Sequence, residues 1–69
     1  MSDISLSVNG EARQVPVAST LAEVVATVSG APSGVAAALN EAVVPRGAWS
    51  RTALAEGDRV EILTAVQGG

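Results

Sequence analysis

The dipeptide Asn9-Gly10 constrains the fold of this 69-residue chain more than any other short stretch. Both residues tolerate the positive φ angles that a two-residue hairpin turn requires. Before the turn, Ile4, Leu6 and Val8 alternate with polar residues, which is typical of a strand buried on one face. The segment EARQVPV follows the turn, and Pro16 within it favours an edge strand because proline donates no hydrogen bond. We therefore expect a β-hairpin as the first element.

The hydrophobic period then changes from two to that of an amphipathic helix. Thr20 precedes the first helical turn and Glu23 lies three residues later, the spacing of a capping box. Gly30 and Pro32 predict where the helix ends. The apolar stripe recurs with helical spacing at Leu21, Val24, Val25 and Val28.

The second half of the chain returns to strand-like patterns. VAAALN predicts a strand, a turn at Asn40-Glu41 follows, and a short strand AVVP ends at Pro45. RGAWSRTALAEGD has no clean period, so we expect an irregular crossing with about one helical turn, closed by a turn at Glu56-Gly57-Asp58. The segment RVEILTAV is the last strand. One of its faces carries Val60, Ile62, Thr64 and Val66, and the other carries Arg59, Glu61, Leu63 and Ala65.

The element order of hairpin, helix, strand pair, crossing and strand predicts an α+β fold. Its sheet of four to five strands is expected to have one main helix packed on one face. We predict one domain over residues 1–66, followed by a flexible Gly-Gly tail at residues 67–69.

The composition argues against a conventional active site. The chain has no Cys and no His, which removes thiol nucleophiles, most zinc sites and the usual general base. The net charge of −3 repels a phosphate backbone. No apolar stretch approaches the roughly 20 residues of a membrane span, and no basic secretory start is visible. We expect a cytoplasmic protein that is not an enzyme, binds no cofactor or metal, and has neither nucleic acid nor membrane as a partner.

The sequence ends in TAVQGG, which is an unusual end for a strand. Glycine has no Cβ, so a Gly-Gly end can pass through a narrow channel, and four extended residues reach roughly 13 Å. Such a tail would deliver the α-carboxylate of Gly69, which is unreactive until it is activated. Without His, Cys or Lys in the chain, a partner enzyme would have to supply ATP, Mg²⁺ and a nucleophile. A frayed end without function is the alternative interpretation.

Two long segments and the first hairpin together resemble one family. The segments ALNEAVVPRGAW (38–49) and LAEGDRVEILTAVQGG (54–69), with VNGE in the hairpin, closely resemble the ThiS family of thiamine-biosynthesis sulfur carriers. Gly47 departs from the pattern, because many members have serine there. The resemblance implies a ubiquitin-like β-grasp fold with a mixed sheet. It also implies that an E1-like enzyme adenylates Gly69, that a sulfur donor system converts it to a thiocarboxylate, and that thiazole synthase accepts the sulfur.

The same interpretation predicts a tail and a docking surface. Val66, Gln67 and Gly68 are expected to enter the partner's active site. The docking surface is predicted on the sheet face without the helix, and the free chain is expected to be monomeric. The residues assigned to this surface are Leu63, Ala65, Val43 or Val44, Arg46 and Arg59.

Each of these side chains also has a structural interpretation. Leu63 is also explained as a scattered surface leucine, and the two arginines as partners of Glu41, Glu56 or Asp58. Trp49, the single aromatic residue, is interpreted as part of the core rather than as a docking residue.

Three other functions fit the residues. The small subunit of molybdopterin synthase also uses a terminal Gly-Gly thiocarboxylate. A ubiquitin-like modifier would join Gly69 to target lysines. A plain β-grasp binding module would carry an inert tail.

Overall fold

Asn9 and Gly10 form the predicted turn, with φ angles of 52° and 85°. The turn joins two antiparallel strands, β1 (Asp3–Val8) and β2 (Glu11–Pro16), in a computed structural model that describes residues 2–29 and 34–64. The apolar side chains of β1 are buried, as the alternation predicts. β2 lies at an edge of the sheet, which confirms the position expected from Pro16.

Helix α1 (Leu21–Ser29) starts with the predicted capping box. The Thr20 N–H donates to Glu23 Oε1 at 2.9 Å, and the Glu23 N–H donates to Thr20 Oγ1 at 3.3 Å. These two bonds satisfy backbone groups that the first helical turn leaves unpaired. The predicted stripe faces the core, with Val28 partly buried at its end. The predicted stop at Gly30 and Pro32 lies outside the described residues.

Strands β3 (Val35–Leu39) and β4 (Ala42–Val44) form the second predicted hairpin. Its turn residues, Asn40 and Glu41, have φ angles of 51° and 73°. Asparagine tolerates this left-handed conformation because its short polar side chain bonds locally.

The crossing after β4 is more regular than the sequence predicts. Residues Arg46–Arg51 form a 3₁₀ helix of six residues rather than one isolated turn. Trp49 anchors it, since this side chain is 5% exposed and its indole N–H donates to the Val44 carbonyl at 2.9 Å. The interpretation of Trp49 as a core residue is confirmed. The predicted turn at residues 56–58 is also present, with Gly57 at a φ of 84°.

Strand β5 (Arg59–Thr64) lies at the centre of a five-stranded sheet of order β2-β1-β5-β3-β4. It pairs in parallel with β1 and antiparallel with β3. The sheet is therefore mixed, and α1 and the 3₁₀ helix cover one of its faces. The core between these layers consists of Ile4, Leu6, Val8, Leu21, Val24, Val25, Ala37, Trp49, Leu54, Val60 and Ile62.

Candidate functional site

Strand β5 divides its residues between the two faces of the sheet. Val60 and Ile62 point into the core and are 0% and 6% exposed. The next residue, Leu63, is 71% exposed on the other face, which we call the open face. Its neighbour Thr64 is the last described residue before the Gly-Gly end. An exposed leucine therefore lies next to the last described residue of β5.

The pairing of β3 and β4 with β5 builds an apolar surface around this leucine. Ala36 pairs with Leu63, Ala38 pairs with Glu61, and Val43 of β4 pairs with Ala38. Because these residues alternate with core residues, all of them lie on the open face. We call the surface formed by Ala36, Ala38, Val43 and Leu63 the open-face patch.

The open-face patch is concave. Val43 is 77% exposed at one margin, and the alanines form a low floor between it and Leu63. The resulting depression has a volume of about 390 Å³. It is lined by Asn9, Ala36, Ala37, Ala38, Val43, Glu61 and Leu63. Two large exposed apolar side chains around a shallow depression form a surface suited to an apolar group of a partner.

The structure separates two predicted docking residues from this patch. Val44 faces the opposite side of β4 and packs against the core, so the choice between Val43 and Val44 falls to Val43. Arg46 lies over the ring of Trp49, with its guanidinium carbon 5.7 Å from the ring centroid. It lines a cleft with α1 residues rather than with Leu63. Val44 and Arg46 therefore lie off the open-face patch, and their roles in docking remain predictions.

Arg59 keeps its predicted place on the open face of β5 but has a partner within the chain. Its Nη2 atom lies 3.1 Å from Glu41 Oε2, and both side chains are more than half exposed. This confirms one of the pairings expected for Arg59. An exposed ion pair of this kind contributes about 0–1 kcal/mol, so it leaves Arg59 accessible for a different pairing.

Five residues that line the depression are absent from the predicted site: Asn9, Ala36, Ala37, Ala38 and Glu61. Glu61 lies between Arg59 and Leu63 on the same face, and the alternation along β5 already indicated that position. The alternation of β3 gave the same signal for Ala36 and Ala38. The alanines were missed because alanine is common in both cores and surfaces. It indicates a binding surface only when its strand is known to have an uncovered face.

The other predicted residues of the site are Ala65, Val66, Gln67, Gly68 and Gly69. They lie outside the described residues, and their predicted roles remain predictions.

A second groove lies at the far edge of the sheet. It runs between β2 and α1, has a volume of about 400 Å³, and is lined in part by Arg13, Val15, Val17 and Val24. Val17 is 58% exposed there. The groove contains none of the predicted site residues and is separated from β5 by β1. Val17 in this groove is therefore an exposed apolar residue far from the open-face patch, suited to a control substitution.

The described part of the chain offers no sign of a metal centre or a membrane helix. Across residues 2–29 and 34–64, no group of three Asp or Glu side chains is placed to hold a metal ion. Within the same residues, no helix has the length and apolar character that a membrane span requires.

The fold defines a class of protein. A mixed five-stranded sheet in which the interior strands β1 and β5 pair in parallel, with one main helix on one face, is a ubiquitin-like β-grasp domain. The ThiS family model matches residues 6–69, which is nearly the whole chain. The chain belongs to the ThiS family.

A solved structure agrees with this assignment. The crystal structure of the thiamine biosynthesis protein ThiS from Geobacter metallireducens matches with a TM-score of 0.77 and 30% sequence identity. The match covers 96% of this chain and 100% of that chain. Among curated proteins, none matches the chain. Membership of the ThiS family supports a role as a small sulfur carrier that acts together with partner enzymes.

Proposed function

We propose that the protein carries sulfur at its terminal Gly69 for the synthesis of the thiamine thiazole. The observation that carries this proposal is the family match, which runs to Gly69 and therefore includes the Gly-Gly end. The match to a thiamine biosynthesis protein favours this function over the molybdopterin-synthase subunit and the protein modifier.

The proposed chemistry takes place at the α-carboxylate of Gly69. A partner of the E1-like class joins this carboxylate to the α-phosphate of ATP, which releases pyrophosphate and leaves an acyl adenylate. A sulfur nucleophile from a donor system then attacks the acyl carbon, and AMP leaves. When that nucleophile is sulfide, the product is already a thiocarboxylate. When it is a persulfide, the product is an acyl disulfide, and a thiol must attack the donor sulfur, which forms a disulfide with the donor and releases the carrier as a thiocarboxylate. Thiazole synthase takes sulfur from this thiocarboxylate. ATP and Mg²⁺ are bound by the partner, and the present chain is its protein substrate.

The position of β5 supports the delivery of this carboxylate into a partner. Five residues follow Thr64, so Gly69 lies within roughly 17 Å of the strand end when the segment is extended. We propose that Val66, Gln67 and Gly68 pass through the entrance of the partner's active site. The two glycines present no side chain there and leave the reacting carbonyl accessible.

The open-face patch is the proposed docking surface. Leu63 and Val43 are the two most exposed large apolar side chains of the described residues, and both lie on the open face. Burying Leu63 against a partner would stabilise the complex by about 1–2 kcal/mol, which corresponds to roughly five- to thirtyfold in affinity. Arg59 and Glu61 lie beside the patch on the same face and supply charges that orient a partner. We propose Ala65, the next residue with the same alternation, as its continuation.

Adenylation is tested by ATP–pyrophosphate exchange with a candidate E1-like enzyme. The full chain is expected to support exchange, whereas a chain lacking Gly69 is expected to give only the enzyme's background rate. The matched control is Gly47→Ala, because a Cβ at Gly47 meets no atom within 4 Å and its φ is not positive. This control should behave like the unmodified chain. Equal exchange with and without Gly69 would contradict the proposal.

A further inference from the structure

Asn9 connects the first hairpin to the last strand through three hydrogen bonds. Its backbone N–H donates to the Val60 carbonyl at 2.9 Å. Its side-chain Nδ2 donates to the Ile62 carbonyl at 3.2 Å, and its Oδ1 accepts from the Ile62 N–H at 2.8 Å. A carboxamide has the same donor and acceptor as a peptide unit. The side chain therefore pairs with Ile62 as a neighbouring strand would.

This contact lies where β5 passes the end of its parallel neighbour. β1 pairs with β5 at Ser7–Arg59 and Val8–Val60, and the chain then turns away at Asn9-Gly10. Ile62 lies two residues beyond that point, while β3 continues to pair with β5 as far as Thr64. Within the described residues, Asn9 supplies the partners of Ile62 on the β1 side. β5 is therefore held on both sides, by Asn9 and by β3, as far as Ile62, the residue before Leu63.

The backbone of Asn9 limits which residues can do this. Its φ of 52° lies in the left-handed region, which glycine and asparagine adopt readily. Glycine would form the turn but has no side chain to bond with Ile62. Glutamine carries the amide but is less suited to this conformation and places the amide one bond farther away. Asparagine satisfies both requirements, so its presence is explained by more than the turn.

We propose that Asn9 is a positioning residue for the activation of Gly69, an inference that rests on the proposed function. By holding Ile62, it supports the last part of β5, which carries Leu63 and precedes the tail in the sequence. Asn9 also lines the same depression as Leu63 and Val43. Without the side chain, the end of β5 samples more conformations, and a partner enzyme must order it on binding. The loss appears as weaker binding of the carrier rather than as slower chemistry.

Asn40 provides a matched control at the other end of the same strand. Its φ is 51°, its backbone N–H donates to the Arg59 carbonyl at 2.7 Å, and its Oδ1 accepts from the Arg59 N–H at 2.9 Å. Its Nδ2 donates to Asp58 Oδ1 at 3.1 Å. Asn9→Gly and Asn40→Gly therefore each keep a turn that glycine accepts and each remove two side-chain hydrogen bonds. Asn40→Gly removes bonds at the start of β5, and Asn9→Gly removes bonds near its end.

The first readout is amide hydrogen exchange measured by NMR on the full chain. Asn9→Gly is expected to accelerate exchange of the Ile62 amide by about tenfold relative to that of Arg59, because Ile62 loses its acceptor. Asn40→Gly should reverse this pattern. Unchanged protection of Ile62 in Asn9→Gly would overturn the proposal without reference to any enzyme.

The second readout is the steady-state kinetics of ATP–pyrophosphate exchange with the candidate adenylating enzyme. For Asn9→Gly, the KM for the carrier should rise by about tenfold with kcat retained, whereas Asn40→Gly should stay within about twofold. An equal KM for the two glycine variants would overturn the positioning role and leave sulfur carriage intact. Absence of exchange with the unmodified chain would instead count against the proposed function.

Discussion

The two faces of β5 differ although their residues alternate one by one along the same strand. Val60 and Ile62 are buried under α1 and the 3₁₀ helix, whereas Leu63 is exposed beside small alanines and charged side chains. The covered face is continuous with the core, and the open face carries the open-face patch. One strand therefore stabilises the fold with one set of side chains and presents the proposed docking surface with the other. Neighbouring substitutions should consequently have different effects.

The largest expected effect is the loss of stability when the covered face is truncated. Ile62→Ala removes a buried side chain from the core and should lower the free energy of unfolding by about 2–5 kcal/mol. A chain of 69 residues has roughly 3–10 kcal/mol of unfolding free energy in total, so the variant should lose a large share of its stability. Leu63→Ala, one residue away, should change it by no more than about 0.5 kcal/mol. Urea unfolding followed by circular dichroism measures both, and equal losses would show that the two faces are not distinct.

The next effect concerns partner binding and isolates the open face. Leu63→Glu places a charge on the open-face patch. The KM of the carrier in ATP–pyrophosphate exchange should then rise by at least about tenfold. The reason is that a partner can no longer bury the patch without desolvating a carboxylate. Val17→Glu is the matched control, since Val17 is also exposed but lies in the groove between β2 and α1. It adds the same charge and should leave the KM nearly unchanged. A similar rise in both variants would assign the effect to net charge and contradict docking at the patch.

A smaller loss of stability is expected when the contact that anchors the 3₁₀ helix on the covered face is removed. Trp49→Phe keeps an aromatic ring in the core but removes the indole N–H that bonds to the Val44 carbonyl. The expected loss is about 1–2 kcal/mol of unfolding free energy, from one hydrogen bond and from imperfect packing. Adenylation kinetics should not change at a temperature where the variant is folded. A change in KM without a change in stability would make Trp49 a contact for the partner.

The smallest effect belongs to the exposed ion pair. A double-mutant cycle with Arg59→Gln and Glu41→Gln should give a coupling free energy below about 1 kcal/mol, because both side chains are mostly in water. If Arg59 also contacts the partner, Arg59→Gln should slow association and weaken its dependence on salt, while Glu41→Gln should not. A coupling well above this value would mean that the pair stabilises the fold itself.

The parts of the fold that local chemistry determines were predictable from the sequence. The Asn9-Gly10 turn follows from backbone conformations that few residues adopt. The start of α1 follows from the three-residue spacing of Thr20 and Glu23, and the faces of β1 and β5 follow from alternation. Each of these signals lies within a few neighbouring residues, so a single sequence contains it.

The features that escaped prediction depend on contacts between distant parts of the chain. The length of the 3₁₀ helix depends on the anchoring of Trp49 in the core. No periodic pattern in the sequence predicts this contact. The choice between Val43 and Val44 required the register of β4 against β3, and the position of Arg46 required the path of the crossing. The hydrogen bonds from Asn9 to Ile62 join residues 53 positions apart. The local sequence therefore predicts the turn at Asn9 but not the pairing of its side chain with Ile62.

The measurement that tests the account most directly is the mass of the C-terminal peptide after reaction. The protein is incubated with ATP, the adenylating enzyme and a sulfur donor, treated with a thiol-alkylating reagent, and then digested and analysed. Since the chain contains no cysteine, its side chains offer no thiol for the reagent. The account predicts one alkyl group localised to Gly69, which identifies a thiocarboxylate. An ordinary carboxylate at Gly69, under conditions in which the same enzyme modifies a known carrier, would contradict sulfur carriage by this protein.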